Sequence, residues 1–206
     1  LVHAADVADP EIGRFYQTTQ EAVTDIAAHL VFFTLEINQL SEAALKKKLK
    51  APALAHYASW IRDVRVFRPH QLDEETERLL HDKHVVGRAS WNRLFDETMA
   101  RMRIDMDGKQ RTTEEVLHSL SDTKAAVRKK AAKALGKTFG ENIQLFSLIT
   151  NTLAKDKEID DRWRNYARPQ SSRNLANHVE DEVVDALSAA VRKSYPDLSH
   201  RYYKLK

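Results

Sequence analysis

The chain has no cysteine, only five glycines and five prolines in 206 residues, and few aromatics, at 8%. Without cysteine no disulfide framework can form, and the absence is compatible with a reducing cytosol. Scarce glycine and proline leave few obligatory breaks, so the composition is helix-rich. No apolar run approaches the roughly 20 residues that span a bilayer, and no basic, apolar and small-residue succession forms a secretory signal; the reading is therefore no membrane. Charge of one sign is also missing. The 33 basic and 30 acidic residues are mostly interleaved and leave a net charge of +3, which argues against nucleic acid as a partner. What remains is a chain with 42% hydrophobic residues, enough to bury a sizeable core in one or two domains.

From Ile12 the apolar positions Tyr16, Val23, Ile26, Leu30, Phe33, Ile37 and Leu40 follow a four-and-three spacing, with Thr19 in the vacant place. That heptad seam predicts one long helix from Asp9 to Leu40 whose stripe requires a partner helix, absent from the chain or supplied by self-association. Ser41 caps a second helix, and Pro52 suits the first turn of a third running through Leu54, Tyr57, Trp60, Ile61 and Val64. Pro69 ends that element, residues 73–84 read as helix, and Ser90 is placed to cap the helix carrying Trp91, Leu94, Phe95 and Met99. Lys46, Lys47, Lys48 and Lys50 read as a solvated helix end rather than a phosphate-binding surface.

The period changes around Asp107-Gly108, a dipeptide tolerant of positive φ, between Arg103-Ile104-Asp105-Met106 and Gln110-Arg111-Thr112. This predicts one small β-hairpin. Thr112 with Glu115 has the spacing of a capping box opening a short helix. Beyond a break at Ser121-Asp122, Val127, Ala131, Leu135, Phe139, Ile143, Phe146, Ile149 and Leu153 trace a nearly continuous helical stripe. Ala132, Gly136 and Gly140 form a second, small-residue face predicted to admit another helix. Arg168-Pro169 and Ser171-Ser172 interrupt the pattern before a helix marked by Val183, Val184, Leu187 and Val191, and Pro196 sets a final bend. The expected fold is all-α, an elongated multi-helical array with one hairpin near Asp107-Gly108.

Motifs carrying chemistry are sparse. His81 and His84 have helical spacing for two metal ligands, but no neighbouring Cys or carboxylate completes a set, so they read as structural or surface residues. Leu135-Gly136-Lys137-Thr138 imitates the end of a phosphate-binding loop, yet Ala131 stands where glycine belongs and the segment reads as helix. His178 and Glu182 are one turn apart, with Glu180 and Asp181 suited to a helix N-terminus, and capping is the better reading. The polar break from Arg168 to His178 is the most interesting segment. Ser171, Ser172, Arg173, Asn174, Asn177 and His178 are suited to hold an extended peptide by its backbone or terminal carboxylate, while loop ordering and helix capping are the plainer use of the same groups.

The run Ser172-Arg173-Asn174-Leu175-Ala176-Asn177-His178-Val179-Glu180-Asp181-Glu182, followed by His200-Arg201-Tyr202-Tyr203, resembles the helical region that precedes the zinc motif in the oligoendopeptidase F and thimet-like (M3) metallopeptidase family. Arg68-Pro69-His70-Gln71-Leu72, Trp91-Asn92-Arg93-Leu94-Phe95-Asp96-Glu97 and Asp107-Gly108-Lys109 extend the resemblance over roughly residues 8–206. The family's His-Glu-x-x-His helix and later Glu ligand are nowhere in the sequence, so no catalytic or metal-binding residue is named.

The resemblance implies an N-terminal helical domain over 1–120 and the beginning of the peptidase domain over 121–206, truncated before the zinc site, with both chain ends artificial. It further implies a cytoplasmic parent enzyme that binds zinc and hydrolyses short peptides, a C-terminal catalytic domain missing from the chain, and a noncatalytic role here as channel wall. An independent helical protein-protein interaction module is the alternative.

Overall fold

The computed structural model describes residues 9–205, and these are all-α apart from one two-stranded hairpin. No helix among them is long and apolar enough to cross a membrane. The chain folds into two compact units that alternate along the sequence. The first holds the described residues up to Val31 together with Glu75–Asp156, and the second Phe32–Glu74 together with Lys157–Lys206.

In the first unit, α1 (Pro10–Ala28) starts at Asp9, whose carboxylate accepts from the backbone N–H groups of Glu11 and Ile12 at 2.7 and 3.2 Å. Pro10 follows at the first helical position, where its missing N–H costs nothing. The predicted single helix from Asp9 to Leu40 is instead two, because the chain turns at His29-Leu30 and restarts as α2 (Val31–Gln39). His29 Nδ1 lies 2.8 Å from the Asp25 carbonyl and the His29 backbone N–H donates to the Ile26 and Ala27 carbonyls, so the final turn closes on itself.

The two units share later elements in the same alternating way. α6 (Glu74–His84) opens the return to the first unit and is followed by α7 (Arg88–Arg101). The cap of α7 is Gly87, not the predicted Ser90, which lies inside the helix and donates its hydroxyl to Val85 O at 2.9 Å. A Cβ at position 87 would stand 2.9 Å from the Lys83 carbonyl, a contact that glycine avoids.

The hairpin predicted at Asp107-Gly108 is present, with β1 (Ile104–Met106) paired antiparallel to β2 (Lys109–Arg111) in the register Ile104↔Arg111 and Met106↔Lys109. Asp107 and Gly108 both have positive φ, 59° and 74°, the pairing a type I′ turn requires and one that matches strand twist. Alternation along β1 points Ile104 and Met106 inward and Asp105 outward. Thr112 then caps α8 (Thr113–Ser119) through a complete capping box: Glu115 N–H donates to Thr112 Oγ1, and Thr112 N–H donates to the Glu115 carboxylate at 2.7 Å.

The core of this unit gathers Met102, Ile104, Met106 and Val116 against Ala131 and Leu135 of α9 (Ala125–Glu141). Phe146 adds edge-on ring contacts with Phe95 and Phe139 at 5.9 and 6.0 Å. Phe146 belongs to α10 (Ile143–Trp163), so the stripe read as nearly continuous is broken at Asn142, whose amide donates to Thr138 O at 2.9 Å. The small-residue face is not occupied as predicted: nothing lies within 4 Å of where a Cβ would stand on Gly136 or Gly140, and both are exposed. The Lys137 segment is interior helix and forms no phosphate-binding loop.

In the second unit, Ser41 caps α3 (Glu42–Lys48) by accepting from Ala44 N–H, and Lys46, Lys47 and Lys48 form its exposed last turn. The helix predicted to run on from Pro52 is interrupted at His56-Tyr57, giving α4 (Pro52–Ala55) and α5 (Ala58–Arg65). Arg65 ties these pieces together. Its side chain is 8% exposed, donates to Ile37 O at 2.6 Å and pairs with Glu42, while Phe33 stacks on Trp60 at 6.1 Å. Leu35 and Ile61 are buried beside this polar anchor.

Candidate functional site

The polar break predicted between long helices begins where α10 ends. Asn165 adopts φ 56°, and Tyr166 N–H reaches back to Asp161 O at 2.9 Å, a six-to-one closure that satisfies a carbonyl the helix end leaves unpaired. The loop that follows is held by residues distant in sequence. Tyr166 stacks on His70 with ring centroids 3.9 Å apart, His70 Nδ1 lies 2.8 Å from Arg164 O, and Arg164 Nη1 donates to His70 O at 3.3 Å. His70 sits in a single 3-10 turn, Arg68–His70, which Pro69 favours by fixing φ.

Within the break, Ser171 and Ser172 start a short helix, α11 (Ser171–Ala176), and α12 (Asp181–Ser194) follows. Asp181, in the first turn of α12, is the hub. Its carboxylate accepts from Asn174 Nδ2 at 2.7 Å and from Ser171 Oγ at 2.9 Å, and Arg168 approaches to 3.7 Å. The hydrogen bond from Asn174, then that from Ser171, holds the Asp181 carboxyl below its ordinary range. Ser172 accepts from Lys157 Nζ at 2.9 Å, and the same ammonium lies 2.6 Å from both oxygens of the buried Asp161.

α11 closes with a second six-to-one bond, Val179 N–H to Asn174 O at 3.0 Å, accompanied by His178 N–H to Leu175 O at 3.0 Å. The residue in the left-handed position is His178, with φ 54°. His178 therefore terminates a helix rather than sharing a helical face with Glu182.

The six candidate residues thus divide. Ser171, Ser172 and Asn174 use their polar side chains to lock α11 onto α12 and α10, and Asn174 is buried. Arg173, Asn177 and His178 remain exposed. Sequence reasoning placed Arg168 at the start of the break and Asp181 at a helix N-terminus without their organising role, and did not single out Asp185; nothing in the spacing of the two acids announced partners ten and seventeen residues upstream.

The other candidates do not assemble. His84 is exposed, and the Nε2 of His81 is buried without a hydrogen-bond partner. Among the described residues no three His, Cys, Asp or Glu side chains come together in a way that would hold a metal ion.

Comparison with known proteins gives two findings. Residues 36–104 match the N-terminal peptidase M3 family model, described as Oligopeptidase F. The fold also matches the crystal structure of oligoendopeptidase-F from Enterococcus faecium, at 24% identity and a TM-score of 0.85 over 98% of this chain. The chain spans 41% of that protein's length. No curated protein gives a significant match. The motif-based resemblance therefore meets a family match over residues 36–104, within its first half, and a shared fold over nearly all of it.

Proposed function

We propose that the chain is the noncatalytic helical portion of a cytoplasmic zinc oligopeptidase of the oligoendopeptidase F type, and that it forms part of the wall of the channel admitting short peptides. The match of residues 36–104 to the Oligopeptidase F family carries this reading. When bound in the intact enzyme, zinc supplies Lewis-acid activation of water for attack on a peptide carbonyl. The residues of this chain do not fit the role of ligands, since no donor set converges among those described, and no step of hydrolysis is assigned to them.

Their contribution is to position and restrict. The network around Asp181 and Lys157 fixes the break between α10 and α12, and the exposed Arg173, Asn177 and His178 are the groups assigned to a passing peptide. Arg173 suits a carboxylate, and the Asn177 amide suits a main-chain group.

The rival reading, an independent interaction module, draws on exposed apolar residues: Val23, Ile26 and Leu30 at the end of the first helix, and Val183, Leu187 and Val191 along α12. In the peptidase reading these are surfaces for the missing catalytic domain. One experiment separates the two. The chain alone and the chain extended by its downstream coding sequence are each incubated with zinc and a quenched fluorescent peptide. Chelator-sensitive turnover confined to the longer protein is expected, with Arg173→Ala raising its KM. A downstream sequence without a His-Glu-x-x-His helix would overturn the peptidase reading, and turnover by the chain alone would overturn the noncatalytic one.

A further inference from the structure

The first helix is turned in an unusual way. The inward side of α1 carries Ile12, Gly13, Tyr16, Gln17, Gln20, Thr24, Ala27 and Ala28, all buried or half-buried, while Phe15, Val23, Ile26 and Leu30 lie outside at 54% exposure or more. At about 100° per residue the buried face is rotated roughly a third of a turn from the apolar stripe. A helix normally turns its apolar stripe inward. Here the amides and the hydroxyl go inward beside Ile12 and Tyr16, and with Tyr16 they border a cleft of roughly 150 Å³ completed by His84, Ser90 and Arg93.

The hydrogen bonds already made in this cleft show what capacity remains. Gln17 is engaged at both ends of its amide, donating to Glu21 at 2.6 Å and accepting from Arg93 Nη1 at 2.5 Å. Arg93 also donates through Nε to Glu97 at 2.7 Å, which leaves Nη2 as a donor in reserve. Gln20 donates to the Tyr16 hydroxyl at 2.9 Å and keeps its carbonyl oxygen as an acceptor. Among the described residues, the Thr24 hydroxyl and the His84 ring have no hydrogen-bond partner. Donors and acceptors therefore stand side by side, and Glu97 already balances the guanidinium charge. The volume is below the ~300 Å³ at which small-molecule and cofactor sites begin, but it accommodates one or two residues of extended chain.

We propose that this cleft is a second peptide-binding subsite, which holds the main chain of an extended peptide, with Arg93 Nη2 donating to a peptide carbonyl and Gln20 Oε1 accepting from a peptide N–H. The proposal rests on the proposed function for its ligand class alone. Mixed donors and acceptors beside a neutralised Arg fit an amide better than they fit an anion.

The probe is a blocked tripeptide, acetyl-Ala-Ala-Ala-amide, titrated into the isotopically labelled chain while the Gln20 side-chain amide and the Arg93 Nε–H signals are followed. Saturable shifts in the millimolar range are expected. Gln20→Met and Thr24→Val, close in shape to the native residues, each weaken binding, Gln20→Met by about fivefold, the scale of one lost hydrogen bond, with the remaining spectrum unchanged. Arg173→Ala leaves this binding unaffected, which separates the cleft from the Arg168–His178 site. The proposal is overturned by the absence of saturable shifts, by binding of tri-alanine free acid alone, by unchanged affinity in both cleft variants, or by loss of binding in Arg173→Ala. Peptide turnover is read separately in the longer protein, so failure there leaves this binding test standing.

Discussion

Arg168 and Asp185 meet as a two-pronged fork, Nη1 to Oδ2 at 2.8 Å and Nη2 to Oδ1 at 2.6 Å, joining the loop after α10 to the beginning of α12. Bidentate pairing fixes direction as well as distance. The Arg168 hydrogen bonds hold the Asp185 carboxyl below its ordinary range, and the same contact raises Arg168. Together with Asp181 this gives the break two carboxylates that are ionised more readily folded than unfolded.

The pH dependence follows from that sign. A depressed folded-state pKa contributes stability above the unfolded value, near 3.8 for Asp, and the contribution is lost as pH falls through the folded value. Thermal melting of Asp181→Asn and Asp185→Asn is therefore expected to approach the parent's as pH drops below about 4, and to lie lower at neutral pH. Parallel curves at all pH values would show that ionisation of these carboxylates contributes no stability.

His178 occupies a conformation that costs a side-chain-bearing residue about 1 kcal/mol or more relative to glycine. Part of the gain on substitution is offset by the freer unfolded chain. His178→Gly is expected to stabilise the isolated chain by about 0.5 kcal/mol, and His178→Val to destabilise it by about 1 kcal/mol or more. Urea denaturation checks both, and a destabilised glycine variant would contradict the six-to-one closure of α11.

Ile104 is wholly buried at the meeting of the hairpin with α8 and α9. Ile104→Val should cost about 1 kcal/mol and Ile104→Ala about 2–5 kcal/mol, the difference being the cavity left behind. Equal costs from denaturant melts would argue that the site collapses around the smaller side chains.

The outward stripe predicts a surface effect of the opposite kind. Replacing Val23 and Ile26 by Ser should leave unfolding free energy within about 0.5 kcal/mol per site, yet reduce hydrophobic-dye binding and concentration-dependent light scattering. A large loss of stability would mean that these residues pack inside the chain after all.

Turns with their own chemistry were legible in the sequence. Asp107-Gly108 carries its conformation in the dipeptide, and Thr112 with Glu115 in a three-residue spacing, so both emerge as read. The interruptions at His29-Leu30 and His56-Tyr57 carry no proline or glycine, and the apolar spacing runs straight through them; only packing decides them. Asn142 was a missed local signal, an amide able to bond the preceding turn. The location of the polar break was legible, but its organisation was not, because Asp181 acquires its role only from Asn174, Ser171 and Arg168 brought to it by the fold.

The chain leaves the first unit after Val31, returns at Glu75 and leaves it again after Asp156. During synthesis the first unit thus cannot complete its contacts until Asp156 has emerged, although its opening helix is made first, and the segment Phe32–Glu74 must wait longer still for Lys157 onward. Two folding units made from four interleaved stretches postpone their sequence-distant contacts, which is the slow arrangement for a helical protein. No single cut in the gene can deliver either unit whole without part of the other. Isolating the second requires residues 32–74 to be spliced directly to residues 157–206.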